Sequence, residues 1–568
     1  MRQSSVRGER GRRRAPEARE LGWDDSMYEE GADPNVTAPQ GRGEHSGKGR
    51  GERHRHGGPR KKRGRGARIL RWTAFSAAVL ILGTAGAGYF YYEHLSGNIK
   101  KGDLNLGKNR LDRSAANAKG QRPLNILLLG SDSRNSAANV ALGGSHRDVG
   151  RKPLADVQML LHVSADRSNM SVISIPRDTR VTIPECKDPE DGKVYQKTDR
   201  EIINASLTNG GPGCTVATWE ELTGIPVDHF MMIDFAGVVS MADAVGGVPV
   251  CVKGNVYDKL SGLRLEKGDH KIKGKQALQW LRTRHGFEDG SDIGRTHAQH
   301  MYMNAMVRQL KSGTKLTDPG QLTDLAEAAT KALTVDKGLG SPKKLYDLVD
   351  ELKQVSTKRI TMTTMPWVQD PQNPKAHVIP KAGDADKLFS LVRDDTALDG
   401  KDKKDKKDKG SEGSKGEDKK SPPSDPAAPK GEIGVTVQNG TGTAAQAPAP
   451  GRAGTMAAQL VKEGFTKAAA DTTPRSQATT IISYPKADKR GDAQAVAKAL
   501  GLPDSALRMS TSVQQITLVV GADWRTGTSY PKDAGSQDKG DDKVPDSSAA
   551  LNGDDSSACM DVNPLNRF

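Results

Sequence analysis

The chain has 568 residues, which leaves room for two or three domains. Only 35% of them are hydrophobic and the mean hydropathy is −0.64, too polar for one uniformly globular chain, so part of it is expected to lie outside any packed core. The formal charge of +15 is unevenly placed, with 18 Lys/Arg against 10 Asp/Glu in residues 1–68, and no C-x-x-C pair occurs to support a structural zinc site.

Residues 1–68 are rich in Gly, Arg, Glu and His, lack apolar periodicity and read as a disordered basic arm. Residues 72–92, WTAFSAAVLILGTAGAGYFYY, run for 21 positions without a charge, long enough to cross a bilayer as one helix. Trp72 at one end and Tyr89, Tyr91 and Tyr92 at the other suit the two interfaces. A basic run from Arg60 to Arg71 precedes the span. The positive-inside rule therefore keeps that end cytoplasmic and sends residues 93–568 outside. A cleaved signal peptide is the competing reading. The long arm and the lack of an A-x-A site after the apolar run argue against it.

Residues 93–121 read as a polar stalk, and a folded domain spans 122–396. It opens with the buried-strand pattern PLNILLLG at 123–130, followed by strands at 157–163 and 170–175. A helix at 215–223, a strand at 229–235, a helix at 237–245 and a strand at 248–252 continue it. This alternation predicts an α/β fold with a mixed β-sheet sandwiched by helices. Residues 397–431 are a charged, Pro-rich linker. A small α/β domain at 432–521 follows, with strands at 433–437, 480–484 and 515–520 and helices at 453–464 and 492–500. Residues 522–568 return to Gly, Asp and Ser and are expected to be a floppy tail. Cys186, Cys214 and Cys251 fall in the central domain and Cys559 in the tail, where an extracellular setting permits disulfides. Cys186 with Cys214 is the favoured pair, since both flank loop-like stretches (IPEC, GGPGC), but three candidates in one domain leave the pairing open.

The chemistry-bearing residues gather around a few short stretches. Asp132 follows the first buried strand and Asp156 opens the next one. Ligands collect at such strand ends in open α/β sheets, and two carboxylates there could share Mg²⁺, a hard cation that prefers oxygen. The competing reading of Asp132 is an Asx turn. Arg177 leaves the strand at 170–175 through a proline turn and projects over the same edge, unless it serves only a salt bridge to Asp178. In L-R-T-R the period of two puts Arg282 and Arg284 on one face of an extended segment, where they repel unless an anion lies between them. Asp292, Arg295 and Gln299 share one helical face. Guanidinium groups grip phosphate oxygens bidentately and stay charged, so this set suits a pyrophosphate. His285, His297 and His300 lack ligand spacing and read as bystanders. Ser131 and Ser133 lack a nucleophile elbow.

NILLLGSDSR, SIPRDT, INAS, LTGIPVDHFMMIDFAG, DAVGGVPV, the RTR run and GSDIGR-x-x-x-Q resemble, in order and spacing, the LytR-CpsA-Psr proteins over roughly residues 122–310. The block at 432–521 resembles the LytR C-terminal domain of actinobacterial members. The resemblance implies a membrane-anchored enzyme that moves a glycopolymer from a polyprenyl-pyrophosphate carrier to the muramic-acid C6 hydroxyl of peptidoglycan. By the same match Asp132 and Asp156 would hold Mg²⁺, Arg177, Arg282, Arg284 and Arg295 would clamp the pyrophosphate with Gln299 assisting, and Asp292 would orient an arginine or act as base. Pyrophosphate hydrolysis is an expected side activity, and an apolar groove for the polyprenyl chain is expected between sheet and helices. Two departures stand out: Asp156 sits in L-A-D-V, where the family usually has Arg-Ser-Asp-Thr/Ser, and Lys197 or Arg200 stands near the place of a family lysine before Asn204. The alternatives are an envelope scaffold or binding protein, or a transcriptional attenuator. The arm shows no helix-turn-helix pattern, so the expected partners are membrane, lipid-linked glycan and peptidoglycan, with no nucleic acid.

Overall fold

The computed structural model describes residues 65–107, 110–111, 113–114, 116–117, 119–133, 136–142, 150–313, 319–401, 427–442, 447–473, 477, 479–503, 506–510, 513–531, 544–548, 550–553, 555 and 558–568. Most of the expected basic arm, Arg134, most of the linker and part of the expected tail lie outside the described residues.

Helix α1 covers Arg65–Asn98 and is long and apolar enough to cross a membrane over Leu70–Asn98. Leu70, Trp72, Phe75 and Leu80 on it are exposed. Residues up to Ala77 form one unit and Ala78–Phe568 a second, which holds everything below.

The second unit is built on an eight-stranded sheet of β1 Lys100–Gly102, β2 Leu124–Ser131, β3 Ala155–Val163, β4 Met170–Ser174, β5 His229–Ile233, β6 Leu333–Asp336, β7 Ile360–Thr364 and β8 Leu551–Asn552. Their order is β1-β6-β5-β2-β3-β4-β7-β8. The sheet is mixed: β2 runs parallel to β5 and antiparallel to β3. Strand alternation creates the layers. Leu127, Leu129 and Leu160 enter one core with Trp219 and Phe230, while Ile126, Met159 and Leu161 enter another with Leu348 and Val355. Helix α2, Pro212–Thr223, covers the first face. Pro212 starts it without losing a needed N–H, and Gly224 ends it in the left-handed conformation at φ +65°. The Trp219 indole N–H donates to Gln158 Oε1 at 2.7 Å, satisfying two polar groups inside that core.

Helices α3 Phe235–Ala244, α4 Gly274–Arg282 and α5 Asp292–Gly313 join the hairpin of Val248–Val252 and Gly268–Ile272 around a third core that includes Trp280, Phe287 and Tyr302. The second domain has its own five-stranded sheet and its own core around Phe465, Leu518 and Trp524. Its edge strands Lys467–Asp471 and Leu507–Met509 were not expected, because neither has a clear apolar alternation.

Three expectations need correcting. The stalk at 93–121 is partly built into the domain. Ile99 and Leu111 are buried, and β1 pairs in parallel with β6, which without it would be an edge strand. The segment at 281–284 is not extended. Arg282 is the last residue of α4 and Thr283 ends the helix, its hydroxyl donating to the Gln279 carbonyl at 2.8 Å. The tail is not uniformly floppy, since β8 pairs antiparallel with β7 and Cys559 bonds to Cys251. The other disulfide joins Cys186 to Cys214.

Candidate active site

Most of the sequence-nominated side chains converge where β2, β4 and β5 end and β3 begins. Antiparallel pairing sets the end of β2 beside the start of β3, so Ser131 faces Ala155 and the two flanking aspartates, Asp132 and Asp156, come to one place. A register shift between Gly130, opposite Val157, and Ser131, opposite Ala155, leaves Asp156 out of the pairing. Strand β4 delivers Arg177 through Pro176, and β5 delivers Asp234 and Phe235. The end of α4 contributes Arg282, the following loop Arg284 and His285, and α5 Arg295 and Gln299.

Together these groups line a cavity of ≈ 430 Å³. Asp132, Asp156, Arg177, Arg282, Arg284, Arg295 and Gln299 all reach it, and Ile233, Val238, Leu278 and Leu281 supply an apolar wall. Asp292 is not in the wall. Its carboxylate pairs with Arg295 one helical turn on, and lies 3.8 Å from Arg177 Nε. Gln299 donates through Nε2 to the Leu281 carbonyl at 3.2 Å, tying α5 to α4.

The electrostatics are those of a crowded cationic site. Burial works against the Arg177 charge, but Asp156, Asp178 and Asp292 outweigh it and hold the guanidinium above its ordinary range. Arg177 Nη1 donates to Asp156 Oδ1 at 3.0 Å. Arg295 is pulled below its ordinary range, chiefly by burial and also by the like charges of Arg177 and Arg284, against the opposing pull of Asp292 and Asp156. Arg282 stacks over the Phe235 ring at 5.0 Å. The buried Nε atoms of Arg177 and Arg284 have no hydrogen-bond acceptor among the described residues. Several arginines forced together with unspent donors form a site that an anion completes.

Sequence reasoning missed several neighbours. Arg151 pairs with Asp132, whose other oxygen accepts the Leu154 N–H at 2.7 Å. Asp234 caps α3 by accepting the Gly237 N–H at 2.9 Å, and an aspartate just before a helical run was the available signal. Asp258 also lines the cavity, and no spacing pointed to it. His285 is in the wall too. Neither basic residue before Asn204 reaches the cavity: Arg200 donates to both oxygens of Asp370 at 2.7 and 2.8 Å, and Lys197 pairs with Asp199 at 3.3 Å.

The donor set can be tested against Mg²⁺. Among the described residues no group of three or more His, Cys, Asp and Glu could cage a metal. Mg²⁺ is usually held by one or two carboxylates together with substrate phosphates, and Asp132 and Asp156 beside four arginines fit that arrangement.

The LytR_cpsA_psr family model matches residues 89–393, and a second one, described as LytR cell envelope-related transcriptional attenuator, matches 432–524. The cell wall biosynthesis protein LcpA of Corynebacterium glutamicum is 31% identical over 317 residues, covering 52% of this chain and 60% of LcpA. This chain thus spans somewhat over half of that relative's length. The polyisoprenyl-teichoic acid–peptidoglycan teichoic acid transferase TagU of Bacillus anthracis is 28% identical over 290 residues, 51% of this chain and 86% of TagU. Among solved structures, a LytR-Csp2A-Psr enzyme from Actinomyces oris aligns with 52% of this chain and 95% of its own at 21% identity, with a TM-score of 0.38.

Proposed function

The chain belongs to the LytR-CpsA-Psr family, and from that premise we propose that it is a membrane-anchored, extracytoplasmic phosphotransferase. It moves a glycopolymer from a polyprenyl-pyrophosphate carrier to the muramic-acid C6 hydroxyl of peptidoglycan, forming a phosphodiester. The observation that carries this reading is the convergence of Arg177, Arg282, Arg284 and Arg295 on one cavity with Asp132 and Asp156. The name of TagU, a transferase between a polyisoprenyl-linked polymer and peptidoglycan, supports the same class of donor and acceptor. Helix α1 supports the anchor.

In this reading the four arginines bind the pyrophosphate oxygens and neutralise the charge that grows on them. The acceptor hydroxyl oxygen forms a bond to the glycan-side phosphorus and the bridging P–O bond breaks. Polyprenyl monophosphate leaves with the electron pair, and the hydroxyl proton passes to solvent. Asp132 and Asp156 would hold Mg²⁺, which when bound supplies further charge neutralisation on the phosphates. Asp292, engaged by two guanidiniums and outside the cavity wall, suits the task of orienting Arg177 and Arg295 better than that of a base. The apolar wall around Leu278 and Leu281 suits the first isoprene units of the carrier.

The test uses the full chain in micelles with a polyprenyl-pyrophosphate glycan, Mg²⁺ and peptidoglycan oligomers. Arg177→Ala and Arg282→Ala are each expected to lower transfer on the order of 10²-fold or more. Retention of wild-type rates in both would place the chemistry away from these arginines, and no transfer by the unaltered chain would favour a scaffold that binds the wall without catalysis.

A further inference from the structure

Segment 559–566 follows the second domain in sequence, yet it packs beside the catalytic cavity. Its path is fixed by the Cys251–Cys559 disulfide, and by Met560 and Val562, which are buried in the core with Trp280 and Phe287. From there it runs along the loop at 283–291, the connection that carries Arg284 and His285 to the cavity and then launches α5 with Asp292 and Arg295.

The contacts are backbone-directed. The Glu288 N–H donates to the Asp561 carbonyl at 3.0 Å, and the Asn563 N–H donates to the Gly286 carbonyl at 3.0 Å. Val562 bridges Phe287 in antiparallel register. The Asn566 side-chain amide donates to the His285 carbonyl at 2.8 Å. Glu288 itself sits at φ +47°, a conformation that a non-glycine residue keeps only where its surroundings impose it. The buried Nε of Arg284, on the loop that these contacts hold, has no acceptor among the described residues.

We propose that segment 559–566 is a positioning wall for the arginine-bearing loop, and that the Cys251–Cys559 bond keeps it in place. The proposal rests on the transferase reading for its catalytic consequence, but not for its structural one. By holding the carbonyls of His285 and Gly286 and the N–H of Glu288, the segment fixes where Arg284 meets the pyrophosphate and where α5 begins. None of its residues touches substrate. Asn563 and Asn566 act through the loop.

Two variants of the full chain in micelles test this: Asn566→Ala, a single change at a half-buried residue, and the pair Cys251→Ser with Cys559→Ser. The readouts are hydrogen exchange over 283–291, affinity for inorganic pyrophosphate, and kcat against acceptor KM. In the paired variant, exchange at Glu288 is expected to quicken on the order of tenfold. Pyrophosphate affinity and kcat should each fall on the order of tenfold, with acceptor KM unchanged. Asn566→Ala should shift all three in the same direction by less. A paired variant with a lower Tm but wild-type pyrophosphate affinity and loop exchange, beside an Asn566→Ala chain indistinguishable from wild type, would overturn the proposal. If the unaltered chain neither transfers nor binds pyrophosphate, the transferase reading falls. Exchange then decides the wall alone: quickening confined to 283–291 upholds it, and unchanged exchange sinks it.

Discussion

At the scale of single residues the site sets clustered arginines against the carboxylates of Asp156, Asp178 and Asp292. Asp292 illustrates how that balance is set before substrate arrives, since one carboxylate engages Arg295 and lies within ion-pairing reach of Arg177. Asp292→Asn should therefore lower kcat on the order of 10²-fold while leaving the acidic limb of the pH–rate profile in place. Loss of that limb would mark Asp292 as the base instead. His300 gives a separate pH signature. It is fully buried on α5, neither ring nitrogen has a partner among the described residues, and burial pushes its imidazole down to about 3. The folded chain keeps it neutral while the unfolded chain protonates it near 6.5, so its contribution to stability is complete above pH 6.5 and is lost as pH falls toward 3. At about 1.4 kcal/mol per pKa unit the full loss is on the order of 4–5 kcal/mol. Urea unfolding at pH 7 and pH 4.5 should show a steep loss in wild type and a shallower one in His300→Leu; equal slopes would refute the assignment.

At the scale of elements, the short stretches that carry the site are legible because each sits where a strand or helix ends. The glycine of L-L-L-G-S-D shows why that position is so constrained. A Cβ on Gly130 would lie 2.9 Å from Val157 Cβ, its partner across the β2–β3 pair and a stiff β-branched residue. Gly130→Ala should cost about 1–3 kcal/mol and move Asp132 relative to Asp156. A thermal melt with an assay of Mg²⁺ dependence checks both effects, and an unchanged Tm would contradict them. The helix–strand alternation from residue 123 to 252 was readable because apolar periodicity follows burial there. The run at 281–284 was misread because two arginines at a spacing of two look extended, whereas α4 is set by Ala277, Leu278 and Trp280, which are buried upstream. Both arginines still reach the cavity, since the helix stops between them.

At the scale of the whole molecule, composition hid what long-range pairing supplies. Residues 544–568 are polar, so nothing local announced that β8 would extend the large sheet, or that Cys559 would meet Cys251 across 308 residues. Asp258 and Arg151 were equally silent, because their roles come from tertiary neighbours and not from spacing. The arginines and aspartates of the cavity were legible because they stand at strand and helix ends, in short motifs whose order resembles the LytR-CpsA-Psr proteins. Their geometry adds a physical reason for the grouping. The claim that joins all three scales is that this cavity transfers one phosphate together with the glycan. The most direct measurement is a single reaction of the full chain with a polyprenyl-pyrophosphate glycan and peptidoglycan oligomers, in which the released lipid and the new linkage are both identified by mass. The account predicts polyprenyl monophosphate and glycan–phosphate–muramic acid in equal amounts. Intact polyprenyl pyrophosphate after prolonged incubation, or glycan attached without phosphate, would contradict it.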